Sequence, residues 1–486
     1  MKYNILKPPV TFGVVLAFLF SIVYLNISWG TFNKSLFDGS MIVVAVMLIV
    51  FMYQSQTGSL RGFWLKPSYF FVLGYLAVNL QFITDFRLGL KTVYSYRIIY
   101  PSVFNLCLVL AVIGLCAFVA GYSLMTDAKK RKKNFAKLAY IAGNGNLLVL
   151  MQVLVFGLFL YNINLVTFLT GADYGTAEHN LANYFENFLY VSNAVIIVYA
   201  ITKHKVRNVR EYLRAFPKIS LVIIAMYIIM RLLSGDRGPF IYTSLLLVYG
   251  YLYATRVKIK LLYILGFALA GTLFVSVLGI ARSMDKSDSF FSRLALGYET
   301  FQSEGRSGSD SRTVVGLTEE LGYSFIVNQV DVNAVEKEGA DFHYGTYQLN
   351  TIANSIPFIP GFITNVMDVK PEDRSSSGFA NYHFFGGYNR TWGVGTTCLG
   401  DFYLDLGVMG VLIGFFFAGL LLKYLDYSVT ISDKDTMSVY AVLFVLLFSA
   451  KTIYMPRSVL LTDLQSFVLG ALIIYFNNFL SKESRA

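Results

Sequence analysis

Charge and cysteine are what this chain has least of. Asp, Glu, Lys and Arg make up 14% of its 486 residues, and three residues are cysteine. An ordinary soluble domain is roughly 25% charged, so the shortfall argues against one. Cys107, Cys116 and Cys398 are scattered, with no CxxC and no metal-type Cys/His spacing. Neither a disulfide framework nor a zinc site is expected from them. Acids are nearly missing from the apolar stretches, which argues against a transporter built on intramembrane carboxylates. The motifs GxxxxGK[ST], HExxH and GxSxG do not occur. A nucleotide-driven pump, a zinc protease and a serine hydrolase are thereby disfavoured. No internal repeat or low-complexity tract stands out.

What is abundant is apolar. The chain is 56% hydrophobic with a mean hydropathy of +0.57, and apolar runs long enough to cross ~30 Å of hydrocarbon recur throughout. The pattern predicts an all-α polytopic membrane protein with about twelve transmembrane helices, near 10–29, 40–55, 68–84, 103–124, 138–160, 183–202, 219–234, 239–255, 261–281, 401–422, 437–450 and 459–479. Residues 40–55, 219–234 and 437–450 are short for a full crossing. Lys2 and Lys7 precede a first span long enough to stay in the membrane, so a cleaved leader is not expected. The chain divides into nine spans over 1–281, one large loop over 282–400, and three spans with a short tail over 401–486.

The net charge is +11. In a soluble chain that would suggest nucleic acid. Here the basic residues sit in short loops, notably Lys129-Lys130-Arg131-Lys132-Lys133 and the group from Lys203 to Lys218. Lys and Arg accumulate on the cytoplasmic side and favour anionic lipid. Both termini are therefore expected in the cytoplasm, and the large loop outside it. Membrane lipid, not nucleic acid, is the expected partner of these charges.

The loop holds most of the residues that could do chemistry. Residues 300–316 are small and polar. One helix is expected over 314–336, and a helix lying at the interface over 347–367, broken by Pro357, Pro360 and Gly361. Arg237 occupies the turn Ser-Gly-Asp-Arg-Gly-Pro at 234–239, and Arg282 closes the ninth span. Arg306, Arg312 and Arg390 follow in the loop. An arginine held at membrane level needs a partner, and its guanidinium matches a phosphate in two-pronged fashion. Five of them on one face suggest an anionic substrate there. Arg237 has a trivial alternative partner in Asp236, and Arg282 in lipid headgroups. The candidate bases are His343, His383, Asp310, Glu319 and Glu320, with His383 favoured for its place beside Phe384-Phe385-Gly386-Gly387 and Arg390. Asp401 and Asp405 head the tenth span. Helix capping explains Asp401, whereas Asp405 is a turn deeper and suits pairing with an arginine. Asp433-Lys434-Asp435 has the look of a sugar-nucleotide metal motif but stands in a short loop with no soluble domain around it.

The order of these parts resembles the Wzy-type polymerases of bacterial O-antigen, enterobacterial common antigen and capsule repeat units. The residues carrying the resemblance are Ser234-Gly-Asp-Arg-Gly-Pro239, Ile356-Pro357 with Lys370-Pro371, and the run from Gly393 through Asp401 and Asp405 to Gly407 and Gly410. Asp401 stands where the family more often has glutamate. The resemblance implies a metal-independent, inverting glycosyltransferase of GT-C type in the bacterial inner membrane, with no cofactor. Its donor would be a glycan on undecaprenyl diphosphate, and its acceptor a repeat unit on the same lipid. Arg237 and Arg282 would clamp the departing diphosphate, with Arg306, Arg312 and Arg390 available for the acceptor's. His383 or a loop carboxylate would take the hydroxyl proton. Tyr388 and Trp392, with Tyr382, Phe384 and Phe385, would stack on sugar faces, and Asp405 would lie in the binding site. The resemblance also allows for a chain-length-determining membrane protein as partner. An O-antigen ligase shares this chemistry, and a lipid-linked oligosaccharide flippase shares the substrate.

Overall fold

The computed structural model describes residues 8–27, 32–88, 99–125, 144–170, 180–234, 237–264, 322–356, 374–387, 393–430 and 437–483, with a few positions between 266 and 299. The protein is an all-α, multi-pass membrane bundle. Its helices are α1 (Pro8–Asn26), α2 (Lys34–Ser55), α3 (Pro67–Leu88), α4 (Pro101–Leu124), α5 (Gly145–Tyr161), α6 (Asn180–Lys203), α7 (Lys218–Leu233) and α8 (Arg237–Thr255). After the loop come α12 (Cys398–Thr430), α13 (Val439–Ala450) and α14 (Leu464–Glu483). Helices thus stand at the expected spans except the ninth, 261–281, most of which lies outside the described residues. Among the described residues seven helices are long and apolar enough to cross a membrane. The expected short span 40–55 is the 22-residue α2, which starts at Lys34 where the Asn33 side chain caps it by accepting from Leu36 N.

α4 is the axis of the bundle. It carries no charged residue over Phe104–Leu124 and is buried along its length, while α1, α2 and α12 pack around it. Lipid gives helices no hydrophobic reason to associate, so close backbone approach matters more. At the α4–α12 crossing a Cβ on Gly121 would stand 2.0 Å from the Phe416 carbonyl oxygen. α1 meets lipid instead, with Phe18 63% and Leu25 78% exposed.

Two irregularities interrupt the bundle. α3 contains a π turn at Ala77–Gln81, which places Asn79 in the interior. α13 has 12 residues, about 18 Å of rise, too little to cross alone. The chain after it, 451–463, stays folded into the protein, with Thr452, Met455 and Asp463 all buried. Irregular backbone at such depth survives only when enclosed by protein. α3 permits it at Gly74, where the Ile453 carbonyl oxygen comes within 2.3 Å of where a Cβ would be.

Within the loop, α9 (Phe325–Glu336), α10 (Thr346–Asn354) and α11 (Ser376–Phe384) are formed. α9 falls inside the expected 314–336 helix, and residues 325–334 are all buried. Phe325 stacks on Phe82 of α3 at 5.4 Å and meets Phe104 of α4 edge-on at 5.6 Å. α10 buries Tyr347 and exposes Leu349 and Ile352, a surface fit for an interface. The prolines expected to end it lie outside the described residues.

Candidate active site

The loop helices converge on the head of α12. Thr397 caps that helix, its Oγ1 accepting from Gly400 N at 2.9 Å. Capping was the expected task of Asp401, but Thr397 performs it, and the Asp401 carboxylate is released for other contacts. Asp401 is fully buried. Its Oδ1 accepts from Ser376 Oγ of α11 at 2.6 Å, and its Oδ2 accepts from Gln348 Nε2 of α10. Ser376 Oγ in turn accepts from Thr396 Oγ1 at 2.9 Å.

Asp405 was expected to meet an arginine. Its oxygens accept instead from the backbone N–H groups of Tyr347 at 3.1 Å and Gln348 at 3.2 Å. These are orphan donors at the start of α10, where a negative charge is favoured. Asp405 therefore fixes α10 over α12. Just beyond it α12 breaks at Leu406 and Gly407, the latter at φ +60°, a conformation glycine adopts at no steric cost. The Phe342 ring fills the space beside Gly407.

A third carboxylate, Asp331 of α9, was not singled out from the sequence. It is fully buried, and neither oxygen has a hydrogen-bond partner among the described residues. Gly400 packs directly on it: a Cβ there would lie 2.1 Å from Asp331 Oδ2. Burial, and then the nearby Asp401, push the Asp331 carboxyl well above the usual range. On the same helix, Asn328 Nδ2 donates to Asn79 Oδ1 of the π turn at 2.9 Å, and Asn328 Oδ1 accepts from Thr397. At its far end Glu336 Oε1 accepts from Tyr24 OH at 2.7 Å and Tyr403 OH at 2.8 Å.

His383, at the end of α11, is hydrogen-bonded through Nδ1 to Glu338 Oε2 at 2.8 Å, and Glu338 Oε1 accepts from Asn333 at 2.8 Å. An Nδ1–H directed at a carboxylate fixes the neutral ring in the tautomer whose Nε2 carries the lone pair. The Phe379 ring lies between the two histidines, 4.3 Å from His383 and 5.5 Å from His343. His343 Nε2 meets Tyr347 OH at 2.8 Å. The structure thus gathers His383, His343, Asp401 and Asp405 around α10 and α11. Arg237 opens α8, with its side chain outside the described residues. Arg282, Arg306, Arg312, Arg390, Tyr388, Trp392, Asp310, Glu319 and Glu320 also lie outside them.

Buried Arg231 and half-buried Lys451 are two cations near this region that were not singled out from the sequence. Arg231, in the last turn of α7 and six residues before Arg237, pairs with Glu186 of α6 and sits over the Phe168 ring at 4.7 Å. Lys451 pairs with Asp463 between the rings of Tyr190 and Tyr242, 5.0 and 5.1 Å away. Their signal in the sequence was a single charge inside an otherwise apolar run. These pairs tie α6, α7, α8 and the 451–463 segment together where the Arg237 helix begins.

No curated protein and no solved structure matches this chain. A family model does, that of the O-antigen polysaccharide polymerase Wzy, over residues 10–482.

Proposed function

The chain belongs to the O-antigen polysaccharide polymerase Wzy family, and from that membership we propose that it lengthens a glycan carried on undecaprenyl diphosphate. The family match over nearly the whole chain carries this reading. The donor is the growing glycan, and the acceptor is a single repeat unit on the same lipid. The acceptor's terminal hydroxyl attacks the donor's anomeric carbon from the face opposite the diphosphate. The product has inverted configuration, and undecaprenyl diphosphate is released. Both termini lie in the cytoplasm and the loop faces the other side, as the distribution of Lys and Arg supports.

Diphosphate is a good leaving group once its growing charge is met by fixed donors. Arg237 and Arg282 have that role, and Arg306, Arg312 and Arg390 hold the acceptor's diphosphate. Tyr388 and Trp392 stack on sugar rings. His383, oriented by Glu338, receives a hydrogen bond from an acceptor sugar through Nε2. Asp405 acts at one remove, by holding α10 in place. Charge stabilisation by arginine needs no metal ion, so the purified enzyme should remain active in EDTA.

The experiment is reconstitution of the purified protein with lipid-linked repeat units. A ladder of products supports polymerisation. Transfer of finished glycan to lipid A core without a ladder would make the protein a ligase. Movement of intact units across the bilayer without either would make it a flippase.

A further inference from the structure

The hydrogen bonds at the head of α12 have a direction. Thr396 Oγ–H donates to Ser376 Oγ at 2.9 Å, and Ser376 Oγ–H donates to Asp401 Oδ1 at 2.6 Å. Gln348 Nε2–H donates to the remaining oxygen, Oδ2. Each hydroxyl of the chain thus points toward the Asp401 carboxyl. The chain also runs inward: Thr396 is half-buried, Ser376 is 1% exposed and Asp401 is 0% exposed. Asp331 of α9 lies close to this carboxylate, with both oxygens unpartnered among the described residues. The other titratable groups close to Asp401 among the described residues are Asp405 and Cys398 of its own helix. A structural network would consume its donors among buried partners. This one ends at a threonine within reach of the surface.

We propose that Thr396, Ser376 and Asp401 form a proton wire that takes the proton from the attacking hydroxyl of the acceptor sugar. The proposal rests on the polymerase reading and names the destination of the proton. As the acceptor oxygen bonds to the anomeric carbon, its O–H bond breaks and the proton passes to Thr396 Oγ1. The proton of Thr396 moves to Ser376 Oγ, and that of Ser376 to Asp401 Oδ1. The bond from the anomeric carbon to the diphosphate breaks, and its electron pair leaves with the diphosphate. One proton leaves the acceptor and one arrives on Asp401, so the negative charge moves from the carboxylate to the departing lipid diphosphate. A relay ending on a sealed acid keeps bulk water away from the reacting carbon, where water would hydrolyse the donor instead of extending it.

The test uses full-length protein in lipid nanodiscs and undecaprenyl-diphosphate-linked repeat units extracted from a strain deleted for this gene, with timed product ladders. Asp401→Asn should lower kcat at least about 100-fold, the low end of what a positioned proton acceptor supplies. Ser376→Ala and Thr396→Val leave Asp401 in place and should lower kcat, with KM unchanged. Ser376→Thr and Thr396→Ser, which keep a hydroxyl at each position, should restore it. Wild-type kcat in both Ser376→Ala and Thr396→Val overturns the wire, even if Asp401→Asn is inactive or fails to fold. Wild-type protein that makes no ladder overturns the polymerase reading, and the wire with it.

Discussion

The two ends of α12 solve the problem of a buried acid differently. Asp401 and Asp426 are both fully buried, on opposite sides of the break at Leu406 and Gly407. Asp426 accepts from Ser68 N at 3.0 Å, Ser68 Oγ at 2.6 Å and Tyr122 OH at 2.6 Å. The buried Lys66 supplies the opposite charge and itself donates to the Ser55 carbonyl. Lys423, one turn before Asp426, lies over the Tyr122 ring at 4.6 Å. Charge is balanced there, donors are matched to acceptors, and four helices are joined. At the other end three acids, Asp331, Asp401 and Asp405, come together, and neither Asp331 oxygen has a donor among the described residues. Such an arrangement costs stability, and buried groups that are strained against one another gather where chemistry is done. One end therefore reads as a fastener and the other as a working site.

The comparison breaks most visibly at the fastener. Asp426→Ala removes the carboxylate that offsets the buried Lys66 charge and the acceptor of Ser68 and Tyr122, and leaving a buried charge uncompensated typically costs about 3–5 kcal/mol. The variant should fail to accumulate in the membrane, as an immunoblot against an appended tag would show. Normal accumulation would mean that the two ends do not differ as argued. The proposed clamp should behave in the opposite way. Arg237→Ala and Arg282→Ala should accumulate normally and lose at least tenfold in polymer formation, with about 2.7–4 kcal/mol the usual cost of losing one such donor. Arg237→Lys should fail as well, because an ammonium cannot reproduce a two-pronged contact. Long chains from both alanine variants on a lipopolysaccharide gel would remove the clamp. A smaller effect tests the packing between α9 and α12. Gly400→Ala forces a methyl to within 2.1 Å of Asp331 Oδ2, and overpacking typically costs about 1–3 kcal/mol. The melting temperature should fall, and Asp331→Ala in the same chain should recover part of the loss. If the two substitutions are simply additive, the glycine is not there to admit the acid.

Apolar run length made most of the bundle legible, since a span of hydrocarbon dictates its own sequence. The loop was legible in outline, because polarity and prolines mark where spans stop. Its burial was not. Residues 328–333 read Asn-Gln-Val-Asp-Val-Asn, with no helical stripe to show that every one of them would be enclosed. The partners are far away in the chain: Asn79 for Asn328, Asp401 and Gly400 for Asp331. One signal was present, an acid flanked by Val330 and Val332. At the α12 head, Thr397 stands at the cap position while Asp401 falls inside the first turn, and that placement alone would have freed Asp401 for a different task. Ser376 could not have been linked to it across 25 residues of loop. The arginine constellation was read from the turn at 234–239 and from positions outside the described residues, so its geometry plays no part in the argument for Asp401.

Asp331 offers the finest distinction between the two ends. Its folded carboxyl titrates above the ordinary range because burial, and then the charge of Asp401, oppose ionisation. In the unfolded chain it titrates near 3.9. Above about pH 4 the unfolded chain therefore holds fewer protons at this site than the folded one, and stability falls as pH rises. The contribution is fully present below about pH 4 and is lost as pH passes through the raised folded value. Asparagine has nearly the same shape and no proton to lose, so Asp331→Asn should flatten the decline of melting temperature with pH in detergent-solubilised protein, followed by tryptophan fluorescence. Parallel curves for the two proteins would mean that Asp331 is ionised in the fold. Asp401 would then lie near a second negative charge, and the loop end would need an unrecognised cation to match the balance that Lys66 gives Asp426.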